Sequence, residues 1–288
     1  MKVLISGTSG MIGSVVTPYL ASQGHEVVRL VRREPKAGEV RWDPDAGFID
    51  RNGVEGFDGV VQLACMPWPV RWTTKSKQQM ADNRIAVNSL LAKALAGCQR
   101  KPQVLVCASG MGIYPSSGDQ ILTEDSPVGS DFLARLQCDG EAATATASAA
   151  GIRVVHLRIP PVLGGQSLKR NMGRVGSGRQ WSSWVSRDEL ACIVDHVLRT
   201  ETLVGPVNPT SPNPVRNAEL SATQSRILGR KPGLPVPAFI LRLMLGEMAD
   251  ELILASRRIE PRKLLSSGYL FRYPRLEDAI RHELEVTS

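Results

Sequence analysis

Residues 1–35 read MKVLISGTSGMIGSVVTPYLASQGHEVVRLVRREP, and the order of their features decides the fold. The apolar run at 2–6 has the continuity of a strand covered on both faces. It stops at Gly7, and "MIGSVVTPYLASQG" then shows helix-like spacing that ends at a glycine. "HEVVRLV" follows as a second strand. A β-α-β unit this short, with Gly7, Gly10 and Gly13 between first strand and helix, has the arrangement of a dinucleotide-binding turn. Gly7 can make the tight turn, Gly10 permits backbone to approach a pyrophosphate, and Gly13 lets the helix lie close to the sheet. The helix N-terminus then faces phosphate charge. Thr8, Ser9, Met11 and Ile12 fill the same turn and join the cofactor-binding candidates; three purely structural glycines are the competing reading.

The second strand runs into "RLVRREP", which places Arg32 and Arg33 where an NAD-selective site commonly carries an acidic residue for the ribose hydroxyls. Guanidinium groups suit a 2'-phosphate, so NADP(H) is the expected cofactor; solvated loop charges are the alternative. At the end of the third strand, "LACMPWP" sets Leu63, Ala64 and Cys65 beneath the expected path of the dinucleotide, small enough at 64 and 65 for close approach. Trp68 and Trp72 are candidates for an apolar wall. Pro160 and Val162, just past the strand expected at 153–159, complete the cofactor-binding set.

Further strand-like runs fall at 59–64, 103–109 and 153–159, with helical candidates at 75–99, where an internal break is allowed for, 132–150 and 188–199. Alternation of this kind predicts an α/β fold, a doubly wound and mostly parallel sheet of Rossmann type. Prolines punctuate 206–237, after which the segments are short and mainly helical, so the expected division is a cofactor-binding domain over 1–235 and a small C-terminal lobe over 236–288. "FILRLMLGEMADELILAS" at 239–256 has the apolar density of a packing helix.

Composition narrows the function. With 288 residues, 42% hydrophobic and 22% charged, the chain is of ordinary globular character and large enough to bury a full core. The net charge of +7 is spread over short clusters such as "RREPK" and "RRIEPRK", with no finger or aromatic RNA-binding motif, so no nucleic-acid partner is expected. Five separated cysteines, none in a CxxC pair, and four histidines away from ligand spacing predict a reduced compartment and no metal. The opening residues lack the form of a secretory signal, and no apolar run spans a bilayer, so the cytosol is the expected location and no membrane partner is expected, with an organelle transit peptide as the alternative.

Together the glycine pattern, "VRREP" with "VRWDPDAG", "VQLA" with a following "RW", "GIYPSSGDQILTEDSPVGSDFLA", "VVHLRIPPVLG" and "GSGRQWSSWVSRDELA" resemble the extended short-chain dehydrogenase/reductases. More closely, they resemble the atypical branch called the epimerase family, often labelled nucleoside-diphosphate-sugar epimerase or SulA-like cell-division inhibitor. The tail from "LPVPAFILRLML" to "RLEDAI" is similar to the small C-terminal domain of that branch, itself of unknown role. Three departures stand out: Cys65 and Met66 replace Gly and Glu, Ser186 and Arg187 stand where relatives tend to have histidine and an aliphatic or acidic residue, and the stretch 164–178 is short.

The resemblance also implies a tyrosine and, four residues on, a lysine, one turn apart on a helix face. Counting back from Glu141, which resembles the glutamate that follows that lysine, puts Gln137 at the lysine position and Leu133 at the tyrosine position. Leu133 transfers no proton, and Gln137 carries no charge to lower a neighbour's pKa. The remaining catalytic candidates are Ser109, at the end of the fourth strand, and Tyr114, five residues on. Arg179 and Trp181 are candidates for contacting and covering an anionic group. The expected function is an NADP(H)-binding oxidoreductase or epimerase-like protein acting on a small carbonyl or hydroxyl compound without the usual Tyr-Lys pair, as a monomer or homodimer. A dinucleotide-binding regulatory or scaffolding protein with little turnover is the alternative.

Overall fold

The computed structural model describes residues 1–286 apart from 67–70, 166–167 and 169–172. Trp68 and part of the shortened stretch at 164–178, namely 166–167 and 169–172, therefore lie outside the described residues. In chain order the strands are β1 (Lys2–Ser6), β2 (Glu26–Val31), β3 (Glu39–Asp43), β4 (Phe48–Ile49), β5 (Gly59–Gln62), β6 (Val104–Gly110), β7 (Ile121–Leu122), β8 (Arg153–Ile159), β9 (Val162–Leu163), β10 (Trp181–Ser182), β11 (Val185–Ser186), β12 (Gly205–Val207), β13 (Val215–Arg216) and β14 (Arg258–Ile259). The main helices are α1 (Gly13–Ser22), α2 (Thr74–Ala96), α3 (Phe132–Ala142), α4 (Ala145–Ala149), α5 (Arg187–Arg199), α6 (Asn217–Ile227), α7 (Ala238–Leu245), α8 (Arg262–Ser266) and α9 (Leu276–Val286).

Eight strands form the central sheet in the order β12-β8-β6-β5-β1-β2-β3-β4, and every pairing is parallel except β3 with β4. This is the α/β, doubly wound, mostly parallel sheet of Rossmann type that the sequence predicts. Successive residues of β1 serve opposite layers, as a two-residue period requires. Val3 and Ile5 pack with Val16 and Leu20 of α1 and Leu190, Ile193 and Val197 of α5. Leu4 packs with Val87, Leu91 and Leu95 of α2. The chain runs from β1 to β2 and β3 on one side and returns to place β5 on the other, so the sheet order reverses at β1. A crevice opens there outside the carboxyl ends of β1 and β5, where open α/β sheets take ligands.

Several elements differ from expectation. The helix at 74–96 is unbroken, capped by Thr73 and Ser76 in a reciprocal capping box and carrying a buried stripe of Met80, Val87, Leu91 and Leu95. The helix expected over 132–150 divides at Ala143 and Thr144 into α3 and α4. The dense apolar segment 239–256 is no buried helix: α7 buries Leu241 while Phe239, Leu243 and Met244 stay exposed, and Gly246, at a φ of +62°, ends it. The C-terminal region also joins the main body. β14 pairs with β7, and Leu264 and Tyr269 belong to the same core as β1 and α5.

Candidate functional site

The site begins with the glycines. Gly7 has a φ of +72°, open to glycine at little cost, and a Cβ there would lie 2.6 Å from the carbonyl carbon of Leu63. At Gly13 a Cβ would fall 2.2 Å from the Gly7 oxygen. The two glycines thus let the β1 exit, the β5 exit and the start of α1 occupy one small volume. Ser6 fastens this corner, its Oγ accepting from the backbone N–H groups of Leu63 and Ala64 at 3.2 and 3.4 Å. No side chain caps the N-terminus of α1, and no carboxylate lies in its first turn. Its amide groups and dipole are left for an anion.

Gly7, Thr8, Ser9, Gly10, Met11, Ile12, Gly13, Arg32, Arg33, Leu63, Ala64 and Cys65 all line one cleft of about 1660 Å³. Every residue singled out from the glycine turn, the second strand and the third strand is therefore brought together. Arg29 and Asp45 line it too, and neither was singled out from the sequence. The two arginines are held differently. Arg33 donates to Glu39 at 2.6 Å and to the Glu34 carbonyl at 2.9 Å, and this hydrogen bond keeps the Glu39 carboxyl below its ordinary range. Among the described residues Arg32 faces only Asp45, at 3.5 Å, with both side chains well exposed. Pro160 and Val162 are not on the cleft wall: Pro160 is buried, and Val162 is half-buried and paired with Val185.

Ser109, the penultimate residue of β6, is buried and, like Pro160 and Val162, is not on the cleft wall; its hydroxyl donates inward to Glu141 Oε1 at 2.7 Å. Glu141 in turn holds Arg158 of β8 by two contacts, Nε at 3.1 Å and Nη2 at 3.0 Å. Arg158 Nη1 also donates to the Tyr114 hydroxyl at 3.0 Å, and that hydroxyl donates to Asn208 Oδ1 at 2.8 Å. Tyr114 has no exposed surface, and burial pushes its hydroxyl above the ordinary range against the pull of Arg158. The Tyr114 oxygen thus lies between two internal partners and is not on the cleft wall.

The Arg158–Glu141 pair was legible in part. Val154, His156 and Arg158 share one face of a covered parallel strand, and a charge there requires a buried partner. Leu133 and Gln137 are both buried on α3, Gln137 reaching Ser109 at 3.5 Å. A second internal chain carries no sequence signal of its own: Gln62 donates to Asn88 at 2.7 Å and Asn88 to the Gly140 carbonyl at 2.7 Å, tying β5 to α2 and α3. Trp181 does not lie open as a cover. Its ring is held between the guanidinium groups of Arg216 and Arg258, at 4.1 and 4.6 Å, and its Nε1 donates to Asp119. Arg179 is exposed. Among the described residues no group of three His, Cys, Asp or Glu side chains could hold a metal, and no helix is long and apolar enough to cross a membrane.

Residues 3–207, more than half of the chain, match the model of the NAD dependent epimerase/dehydratase family. The chain belongs to that family. Residues 236–283 match a domain of unknown function, DUF1731. Among its family relatives, an epimerase family protein of Mycobacterium leprae is 35% identical over 97% of this chain and 94% of its own. The human epimerase family protein SDR39U1 is 31% identical over 98% and 99%. A crystal structure of human SDR39U1 with NADPH superposes with a TM-score of 0.89 at 30% identity, covering 99% of both chains. A structure described as a nucleoside-diphosphate sugar epimerase from Corynebacterium glutamicum superposes at 0.83 with 33% identity, over 99% of this chain and 58% of that one. This family member is thus an atypical short-chain dehydrogenase/reductase in sequence and in fold.

Proposed function

We propose that this family member binds NADP(H) and transfers hydride to or from a small carbonyl or hydroxyl compound, with Ser109 as a polar contact at the reacting end and no tyrosine-lysine pair. The observation that carries the reading is the uncapped N-terminus of α1 behind the Gly7 turn, in one cleft with Arg32 and Arg33. Phosphate charge suits both ends of that cleft, the pyrophosphate at the helix and the 2'-phosphate at the guanidinium groups. A relative solved with NADPH supports the cofactor. The cofactor supplies the hydride chemistry. The chain's own residues seat the dinucleotide, and Ser109, whose proton is directed to Glu141, presents oxygen lone pairs to a substrate hydroxyl.

Burial of Leu133, Gln137 and Tyr114 favours a second reading, a dinucleotide-binding protein with little turnover and a regulatory role. The cytosol, a free monomer or a homodimer, and independence from nucleic acid belong to the same proposal. Titration with NADPH and NADH, followed by fluorescence, tests the cofactor. NADPH binds at least about tenfold more tightly, worth ~1.4 kcal/mol, and the double substitution Arg32→Ala with Arg33→Ala removes that preference. Equal affinity for the two cofactors sinks the role of the arginines. NADPH consumption over a panel of carbonyl compounds tests turnover; binding without consumption selects the second reading.

A further inference from the structure

Arg84 lies midway along α2 and leaves that helix for the carboxyl edge of the sheet. It passes over Gly140 of α3, where a Cβ would meet its Cγ at 2.6 Å and its Cδ at 2.9 Å. The glycine is therefore a doorway between the two helices, and Asn88, one turn further along α2, holds it open by donating to the Gly140 carbonyl. The guanidinium ends at the last residues of β6, donating from Nη1 to the Ala108 carbonyl at 3.1 Å. Among the described residues this is its one hydrogen bond; Nε and Nη2 have no partner and are not sealed from solvent.

Cys107 precedes the Ala108 carbonyl that Arg84 meets, Glu141 follows the Gly140 that it crosses, and Asn83, beside Arg84 on α2, shares the cleft wall with Cys65. Cys107 is buried, which pushes its thiol up to about 12 and keeps it neutral. Glu141 is already neutralised by its two contacts with Arg158 and by the Ser109 hydroxyl. Cys65 is exposed on the cofactor cleft. An arginine stays protonated even when desolvated, so one positive charge remains uncompensated at the carboxyl end of β6; Arg84 itself is not on the cleft wall, but its neighbour Asn83 is. With Nε and Nη2 facing solvent and not protein partners, the guanidinium keeps donors open for a ligand. On the neighbouring helix, the position that the family's lysine would fill carries Gln137, whose amide sits against Gly110.

We propose that Arg84 is an anion-binding residue of the substrate site, holding a carboxylate or phosphate oxygen of the substrate beside the reacting end of the cofactor and supplying from α2 the charge that α3 lacks. The placement beside the cofactor rests on the NADP(H) reading; the anion binding stands without it. In carbonyl reduction the hydride goes to the carbonyl carbon, the C=O electron pair moves to oxygen, and a solvent proton completes the hydroxyl. A fixed cation at this edge favours that negative oxygen as well as the substrate's own anionic group.

Cys65 is a built-in reporter, read by site-resolved mass spectrometry after brief alkylation. Oxalate and inorganic phosphate are the probes. One of the two slows carbamidomethylation of Cys65 by iodoacetamide roughly tenfold in the wild type and in Arg84→Lys, and loses that protection in Arg84→Met. Protection by oxalate assigns a carboxylate substrate, and protection by phosphate a phosphorylated one. Protection by neither, or equal protection of Arg84→Met, overturns the proposal. Should Arg84→Met fail to melt cooperatively, the wild type alone decides: iodoacetate, relative to iodoacetamide, must favour Cys65 over Cys138, and an equal ratio at the two thiols overturns the assignment. An NADPH titration runs alongside. Loss of NADPH binding with anion protection intact defeats the cofactor reading and leaves Arg84 standing.

Discussion

At the scale of the residue, the cofactor cleft is a contest between charges. Arg33 is occupied by Glu39 and the Glu34 carbonyl, while Arg32 meets only the exposed carboxylate of Asp45. On the proposed reading, Asp45 competes with a 2'-phosphate for the freer of the two guanidinium groups. Replacing Asp45 with Asn removes the competitor, and NADPH affinity rises roughly twofold with NADH affinity unchanged, a modest gain because exposed pairs contribute only about 0.2–1 kcal/mol. Parallel titrations at low and high salt check it, the gain shrinking as salt screens the charges. Ser109→Ala, by contrast, leaves binding intact and lowers turnover roughly 10²-fold, the cost of losing one positioned polar contact at the reacting atoms. Turnover unchanged in this variant removes Ser109 from the reaction. Arg32 and Arg33 were legible because they follow a strand whose end the sequence marks. Asp45 was not, since it reaches the cleft only through the β3–β4 hairpin, whose short strands carry little pattern.

At the scale of the element, sequence spacing located β1, β6, β8, α1 and α5 closely, because each is a nearly continuous apolar run or a clear amphipathic face. It did not reveal how α3 is used. The tyrosine and lysine positions at Leu133 and Gln137 are legible as absent, yet the Glu141–Arg158 pair that holds Ser109 joins a helix to a strand, and which face of α3 meets β8 is set by packing. Gly13 shows how strictly the first helix is seated. A Cβ at 2.2 Å from backbone oxygen forces α1 off the sheet, so Gly13→Ala loses about 1–3 kcal/mol in denaturant unfolding and weakens NADPH binding in step.

His156, on the same face of β8 as Arg158, adds a pH dependence. Thr144 spends its proton on the Glu141 carbonyl, so His156 Nε2 donates to the Thr144 oxygen at 2.9 Å. Burial, aided by the Arg158 charge, lowers the imidazole pKa from its ordinary 6.5. Below that value the unfolded chain takes up a proton that the folded chain refuses, so this contribution to stability is whole above about pH 6.5 and is lost as pH falls toward the folded pKa. The stability difference between wild type and His156→Gln therefore narrows from pH 7 to pH 5 in urea unfolding. A constant difference removes His156 as the source.

At the scale of the whole molecule, the C-terminal region is fastened at the helix ends of the cofactor-binding body. Glu251 accepts from the backbone N–H groups of Phe132 and Leu133, at the start of the helix that carries Gln137 and Glu141. Glu283 of α9, fully buried, accepts from the N–H of Arg187 at 2.8 Å and from its Nε at 2.9 Å, at the start of α5. Tyr269 donates to Glu189 of α5 and packs in the main core. A carboxylate at a helix N-terminus satisfies amide groups that otherwise have no partner and opposes the dipole. Neither docking was visible in the sequence, where proline-rich turns mark a change of character and say nothing of what the following segment touches. The expected physical consequence is one cooperative unit. Glu283→Gln removes a buried charge and leaves the Arg187 guanidinium without its counter-ion, which costs about 3–5 kcal/mol. If the region past 235 were an independent lobe, this loss would melt α9 alone and leave the cofactor-binding body unchanged. Because Leu264 and Tyr269 share a core with β1 and α5, the variant instead unfolds in a single transition at lower urea, with tryptophan fluorescence and far-ultraviolet circular dichroism coincident and the m value that of the wild type. Two separated transitions would show that the division near residue 235 is also a division in stability.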